Sequence, residues 1–389
     1  MLRVLTLSTL FPDATRPNFG VFVERQTLEL AAHADVSLRV VAPIGVPPWP
    51  LTRVARYRQF GDVPRAELWK GVSVDRPRFT NVPGTGGRFH AGSLARSLIP
   101  LLHALRRDFP FDIIDAEFFF PDGPAAVALG QHFGVPVSIK ARGADIHLWG
   151  NGATAHQVLG AGQAADGMLA VSAAIKADMV ALGMPGDRIR VHYTGVDLAR
   201  FAPVDRASAK SALGIDGPLV ISLGALVPRK GHALVVDAVA ALPGVSLIIV
   251  GEGPERAALS AQIAALGLAD RARLAGSVRH AELPALLATA DVMALASASE
   301  GLANAWVEAL ACGVPIVITE AGGAREVLTD AAYGRIVPRT ADAFAGAIAE
   351  LLGQPPAPAV VRGGAMRFTW EANTAALVEH LSGLALSRR

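Results

Sequence analysis

The chain has 389 residues, 51% of them hydrophobic and 18% charged, with a single cysteine. That length exceeds what one hydrophobic core usually holds and predicts two domains. The composition excludes wholesale disorder, and a lone Cys312 excludes a disulfide-stapled scaffold or a multi-thiolate metal site and predicts a reducing compartment, the cytosol.

The net charge of +2 conceals an asymmetry: the first 110 residues carry 15 Lys+Arg against 8 Asp+Glu, the remainder 21 against 26. A basic front half suits an anionic partner, either phosphates or an acidic membrane surface; the alternative is a solvated face without a partner. Residues 1–8 read as a first buried strand, because Pro12 and Asp13 stand where a signal peptide would need a small-residue cleavage site. No uninterrupted apolar run reaches the roughly 18 residues of a membrane-spanning helix.

Short apolar runs alternate with longer segments of helical period, the pattern of parallel strands with crossover helices, so the predicted class is α/β. Strands are expected at 3–8, 36–42, 113–116, 135–140, 167–171 and 188–191, and helices at 21–32, 92–107 and 124–131. Together they predict one doubly wound domain over 1–200. A polar, punctuated stretch, 201–216, reads as a linker. The rhythm restarts over 217–365, with strands at 219–223, 246–250, 272–274, 292–295, 315–319 and 334–337. Helices are expected there at 231–241, 255–265, 282–289, 304–312 and 342–352. The run Gln354-Pro355-Pro356-Ala357-Pro358 reads as a rigid connector, and residues 366–389 hold a last helix. Two Rossmann-like domains would face each other across a cleft at the carboxyl ends of both sheets, where ligands bind.

Two carboxylates flank one helix start. Glu300 lies in the loop after the strand at 292–295 and Glu308 about one turn into the next helix, while backbone N–H groups near Ala303 and Asn304 point outward. Such a site recognises hydroxyls and anions together; the plainer alternative is a cap and a solvated carboxylate. Lys230, with Arg229 beside it, ends a strand just before a helix opening at Gly231, which places fixed positive charge at the same edge; without a ligand they are a solvated loop pair. Gly20 permits close backbone approach to an anion in the loop before a helix, or is simply a turn glycine. Gly251-Glu252-Gly253 lacks the third glycine of a dinucleotide fingerprint, which argues against a pyridine-nucleotide oxidoreductase. His147 and the other histidines lack metal-ligand spacing, so no metal and no cofactor are inferred. The segment 88–107 mixes apolar residues with Arg96, Arg106 and Arg107; it rests on an anionic bilayer or packs on the core with a basic outer face.

In order along the chain, five segments carry a resemblance: Pro17-Asn18-Phe19-Gly20-Val21-Phe22-Val23; Phe120-Pro121-Asp122-Gly123; His192-Tyr193-Thr194-Gly195-Val196-Asp197; Ser222-Leu223-Gly224-Ala225-Leu226-Val227-Pro228-Arg229-Lys230-Gly231 with Val250-Gly251-Glu252-Gly253-Pro254; and the run from Glu300 to Glu308 followed by Gly322-Gly323-Ala324-Arg325-Glu326. The chain resembles the retaining glycosyltransferases of family 4, which have the GT-B fold. The resemblance implies transfer of a sugar from a UDP- or GDP-linked donor to a hydroxyl of a glycan, polysaccharide precursor or glycolipid, without a metal. It implies Lys230 and Arg229 on the diphosphate, Glu308 on the ribose, and Glu300 with Gly301, Leu302, Ala303 and Asn304 around the sugar. Gly20, Gly224 and Gly251 would line the donor, and Asn18, Phe19, Asp122 and Arg142 the acceptor side. It further implies a last helix at 366–389 that crosses back to the first domain, and a cytoplasmic protein, peripheral at the inner face of the membrane, with no nucleic-acid partner.

Two departures stand out. Ala225 replaces an arginine frequent in the family, and Glu117 replaces a histidine near the transferred sugar. A carboxylate there could bind a sugar hydroxyl, stabilise oxocarbenium character, bind a cationic acceptor group, or cap backbone N–H groups. These departures keep a noncatalytic nucleotide-sugar-binding protein as the alternative function.

Overall fold

The computed structural model describes residues 1–54, 57 and 59–387. They form two compact units, Met1–Thr194 with Trp370–Arg389, and Gly195–Thr369.

The first unit contains β1 (Leu2–Leu7), β2 (Val36–Val41), β3 (Ile44–Val46), β4 (Ala66–Trp69), β5 (Val72–Asp75), β6 (Arg78–Thr80), β7 (Ile113–Ala116), β8 (Val137–Ala141), β9 (Gly167–Ala170) and β10 (Ile189–Val191). Eight of these pair in the order β10-β9-β8-β7-β1-β2-β5-β4, and β3 pairs with β6 alongside. All pairings are parallel except β4 with β5. The central strands are buried on both faces, as near-continuous apolar runs such as Ile113-Ile114 require. Crossovers are made by α1 (Val21–Ala32), α2 (His90–Asp108), α3 (Asp122–Phe133), α4 (Ala155–Ala164) and α5 (Ala173–Ala181). Helix α2 buries Ala91, Leu94, Ala95, Leu98, Leu102 and Leu105 on one stripe. Arg106 is not part of its solvated outer face: it donates to Phe133 O at 2.8 Å and stacks on Phe111 and Phe133.

The second unit contains α6 (Arg206–Ala212), β11 (Leu219–Leu223), α7 (His232–Ala240), β12 (Ser246–Val250), α8 (Arg256–Ala265), β13 (Ala272–Gly276), α9 (Leu283–Ala288), β14 (Val292–Leu295), α10 (Asn304–Ala311), β15 (Ile316–Ile318), α11 (Ala324–Val327), β16 (Gly334–Ile336), α12 (Ala341–Gly353) and α13 (Pro358–Gly363). Its six strands are all parallel, in the order β13-β12-β11-β14-β15-β16. Counted from β11, this is the Rossmann order 3-2-1-4-5-6. A core of Val, Leu and Ile from β11, β12, β14, α7, α8 and α12 fills one face.

The division differs from the sequence expectation over residues 195–216. Residues 195–216 are part of the second unit: Arg362 donates to Leu198 O and Phe201 O, both at 2.6 Å. Helix α6, capped by Asp205, is tied in by Lys210 to Asp291 at 2.8 Å. The final helix α14 (Trp370–Ser387) belongs to the first unit. Its Leu377 and Leu381 pack with Val4, Leu30, Ile113 and Leu169. Leu381→Ala should therefore destabilise the first unit by about 2–5 kcal/mol, since both transfer energy and cavity cost apply. Urea unfolding followed by tryptophan fluorescence measures this, and a loss below about 0.5 kcal/mol would show that α14 docks without contributing to the core.

Candidate functional site

In a doubly wound sheet the loops leaving neighbouring strands on either side of the order reversal diverge, opening a crevice at their carboxyl ends. In the second unit the reversal falls between β11 and β14, and the loops that follow them carry Lys230 and Glu300. The Lys230 Nζ donates to Glu300 Oε1 at 2.5 Å, and Ser297 Oγ donates to the same oxygen at 2.6 Å. Arg229, 43% exposed, reaches Glu300 Oε2 at 3.6 Å and donates to Ser299 O at 2.5 Å. Glu300 itself is only 8% exposed. The aliphatic stem of Lys230 lies against Gly224.

The two loops are stapled together. Ala298 N donates to Arg229 O at 2.7 Å, while Arg339 donates to Ala296 O at 2.8 Å and to Pro228 O at 3.0 Å, one carbonyl from each loop. Gly231 has φ +67°, and a Cβ there would sit 2.2 Å from Ala296 O, so only glycine lets the loops close to this distance. On the β12 side Gly224 N donates to Val250 O and Gly251 N to Gly276 O. The buried His232 accepts from Ser222 Oγ at 2.9 Å through Nδ1 and donates from Nε2 to Ala225 O at 3.2 Å, which fixes the loop where Ala225 stands. Burial pushes its pKa down to about 4, so it is neutral there.

Gly301, Leu302 and Ala303 are buried, and Gly301 O accepts from Gly323 N at 2.8 Å. Helix α10 starts at Asn304 after Ala303, whose side chain makes no capping bond. Glu308, one turn in, is held by His280 Nε2 at 3.2 Å.

The first unit reverses its strand order at β1, with β2 on one side and β7 on the other. Gly20, which opens α1, has φ +67°, and a Cβ there would lie 2.0 Å from Leu10 O; its role in the fold is thus set by close approach to the loop after β1. Asn18 is exposed and Phe19 half-buried in that loop, with the Arg16 guanidinium 4.5 Å from the Phe19 ring. Glu117 follows β7 and is 1% exposed. Its Oε1 accepts from Gln26 and its Oε2 from Arg142, whose Nε also donates to Glu117 O at 2.8 Å. Of the roles open to Glu117 from the sequence, the structure shows its carboxylate engaged with Gln26 and with Arg142, which it aims. Asp122, expected at an acceptor, is wholly buried and accepts from Thr9 N at 2.9 Å, bracing α3 against the loop after β1. Burial raises its carboxyl to about 7.

Beneath Glu117 lies a polar layer that the sequence did not reveal. Lys140 donates to Gln26 Oε1 and lies 2.6 Å from His192 Nδ1, and His192 Nε2 lies 2.8 Å from Asn373 O of α14. Burial draws the Lys140 ammonium down to about 7 and pushes the Asp115 carboxyl well above its usual range. Gln26, Lys140 and Asn373, like Arg339, His232 and His280, stand outside the segments quoted from the sequence, and tertiary pairing brings them together; His192 opens one of those segments.

Comparisons with known proteins bear on the family and the fold. Residues 23–200 match the family model described as Glycosyltransferase Family 4, and residues 204–365 the model for Glycosyl transferases group 1. A putative teichuronic acid biosynthesis glycosyltransferase of Bacillus subtilis is 27% identical over 89% of this chain and 88% of its own. A GDP-mannose-dependent phosphatidylinositol monomannoside mannosyltransferase of Mycolicibacterium smegmatis is 37% identical over 50% of this chain and 56% of its own. Among solved structures, sucrose-phosphate synthase of Thermosynechococcus elongatus superposes with a TM-score of 0.82 at 20% identity, over 100% of both chains. HepE of Anabaena, in complex with UDP-glucose, gives 0.74 at 20% identity over 99% of this chain and 100% of that one. At such identities the structural likeness establishes the fold.

His232 supplies a pH test of the second unit. Burial holds its folded pKa at about 4, below the ordinary imidazole value of 6.5, so its stabilisation is complete above 6.5 and is lost as pH falls toward 4. The stability difference between wild type and His232→Asn in urea unfolding should thus be largest near neutral pH and shrink by about pH 4.5. A difference that stays constant over that window would show that His232 is not held neutral.

Proposed function

Because the chain belongs to the glycosyltransferases of family 4, with the GT-B fold, we propose that it moves a sugar from a nucleoside-diphosphate donor to a hydroxyl of a glycan, polysaccharide precursor or glycolipid, with retained anomeric configuration. The observation that carries this reading is the cluster of Lys230, Arg229 and Glu300 at the strand-order reversal of a Rossmann sheet, next to the uncapped start of α10. The donor complex of HepE with UDP-glucose and the GDP-mannose dependence of the mycobacterial relative support a nucleotide sugar, of either base.

In this proposal the bond between the anomeric carbon and the diphosphate oxygen breaks, the acceptor oxygen bonds to the same face of that carbon, and the acceptor's proton passes to the leaving phosphate. No separate protein base is needed. Negative charge grows on the leaving group, so fixed cations and N–H donors stabilise the transition state more than the ground state. Lys230 has three N–H donors and commits one to Glu300, leaving two for phosphate oxygens. Arg229 supplies a second cation. Glu300 holds Lys230 in place and, with Gly301 to Asn304, faces the sugar; Glu308 accepts from the ribose hydroxyls, with His280 fixing its orientation. Gly20, Gly224 and Gly251 give the backbone its closeness to the donor. On the acceptor side, Glu117 and Asp122 act as positioning residues, through Arg142 and through the loop that carries Asn18 and Phe19. Arg96 and Arg107, both exposed, are the cations of α2 available to an anionic membrane surface.

Lys230→Ala should lower turnover of the preferred nucleotide sugar, followed as nucleoside-diphosphate release, by at least about tenfold, the effect of roughly 1.4 kcal/mol. Undiminished release by a folded variant would move the phosphate contact elsewhere. Glu308→Gln should weaken donor affinity in titration calorimetry by about 1–3 kcal/mol, since a charge-assisted hydrogen bond is lost. Equal affinity would detach Glu308 from the ribose. Donor binding with neither transfer nor hydrolysis across an acceptor panel would favour the noncatalytic alternative.

A further inference from the structure

Asp115 lies in β7 two residues before Glu117, whose N–H continues the pairing to Leu7 O at 3.0 Å, so the two side chains leave the backbone on one face. Asp115 is wholly buried, and no donor among the described residues meets either of its carboxyl oxygens. In register it stands opposite Thr6 of β1 and Ser138 of β8. Ser138 Oγ is taken up with His380 Nε2 at 3.0 Å, and Thr6 Oγ1 is itself without a partner. Lys140 spends its N–H groups elsewhere, on Gln26 Oε1 and toward His192 Nδ1 at 2.6 Å. Two bare, ionised oxygens in this setting would be costly.

What does come within hydrogen-bonding reach of Asp115 is another carboxyl, that of Glu117. Glu117 accepts from Gln26 at Oε1 and from the Arg142 guanidinium at Oε2, and each oxygen keeps a second lone pair. Two ionised carboxylates in contact repel, whereas one proton between them turns the contact into a bond. Burial, and then the neighbouring charge of Glu117, push the Asp115 carboxyl well above its usual range.

We propose that Asp115 is a positioning residue that keeps the proton of an acid pair: its carboxyl O–H donates to the Glu117 carboxylate, and the pair so held fixes the guanidinium of Arg142. Arg142 is then gripped from three sides, by Glu117 Oε2, by Glu117 O at 2.8 Å from its Nε, and by the Phe22 ring 4.8 Å away. Loss of the proton would set Glu117 against Asp115 and loosen that grip. The charged or titratable groups around the pair are Lys140 of β8 and Arg142 just after it, with His192 and His380 of α14 one neighbour farther out. The proposal rests on the transferase reading only for the place of Arg142 on the acceptor side.

Asp115→Asn is the deciding variant, since its amide supplies the same donor to Glu117 and cannot ionise. A carboxyl whose folded pKa lies above its unfolded value, here 3.8, contributes fully below that value and loses its contribution as pH rises toward the folded pKa. Asp115→Asn should therefore match wild type near about pH 4 and grow more stable than wild type as pH rises, melting at least about 3 °C higher at about pH 7.5. The infrared absorption of protonated carboxyl groups at neutral pH, wild type minus Asp115→Asn, should show one acid lost, with other buried acids such as Asp122 cancelling. In nitrogen-15 NMR of the full chain, the Arg142 Nε–H, assigned by its loss in Arg142→Lys, should exchange at least about tenfold faster in Asp115→Leu and stay within about twofold in Asp115→Asn. The Arg76 Nε–H, which bonds Glu67 at 2.5 Å away from this layer, is the internal control for a general loosening. A destabilised Asp115→Asn at neutral pH, as an Asp115–Lys140 ion pair requires, would overturn the proposal. So would a stability difference flat with pH, no acid band, or Arg142 and Arg76 responding alike. Nucleoside-diphosphate release from nucleotide sugars, measured in parallel, separates the two readings. Release by wild type with a reversed stability difference sinks this proposal alone, whereas the expected proton and Arg142 responses with no release from any donor sink the transferase reading alone.

Discussion

A parallel sheet that winds outward in both directions from its first strand must let its connections part there, and this constraint organises both units. In each, the first strand is flanked by strands reached in opposite directions, β2 and β7 around β1, β12 and β14 around β11. The loops after these strands cannot cover one another, so backbone and side chains at the strand ends meet above an opening. Lys230 and Glu300 occupy that position in one unit, Gly20 and Glu117 in the other. Their sequence positions are far apart, and the strand order is what brings each pair to the same edge.

The two openings handle charge differently. In the second unit the partners are held by a staple of backbone contacts, with Arg339 gripping Ala296 O and Pro228 O, and Arg229 is left exposed beside Glu300. In the first unit charge is turned inward. Glu117 is consumed by Gln26 and Arg142, and below it the buried Asp115, whose carboxyl burial pushes well above its usual range, and the buried Lys140 share a polar layer closed by His192 and by Asn373 of α14. Both oxygens of Glu117 are met, which offsets the cost of burying its charge. The final helix is therefore more than an apolar lid, since it brings a carbonyl and a histidine, His380 beside Ser138, to the polar layer.

What the sequence disclosed follows from the range of the forces involved. Helix α1 at Val21–Ala32 and strands β11, β12 and β14 are set by local apolar pattern and turn residues, and they are found where that pattern places them. Strands β3 to β6 escaped because they are three or four residues long and exist through their pairings. Helices α4 and α5 escaped because Ala and Gly dilute their apolar stripe. The 201–216 stretch looked like a linker by its punctuation, yet Arg362 and Asp291, distant in sequence, anchor it. The same limit applied to the site. Lys230, Glu300 and Glu308 were legible as motif residues, whereas Arg339, His280 and His232 act through partners that no local pattern announces.

The basic front half shows how a charge count differs from a charge presented to a ligand. Arg76, only 1% exposed, bonds Glu67 and Pro12 O. Arg78 donates to Arg76 O and Phe60 O, Arg106 to Phe133 O, Arg3 to Asp112, and Arg16 to Asp13. Arginine suits this work because its planar fork satisfies several carbonyls or a carboxylate at once and never loses its charge. Much of the excess positive charge is thus spent holding loops around the ends of β1, β2 and β7. Arg16, the arginine that lines an aromatic cavity among those loops, is itself held by Asp13 in this way.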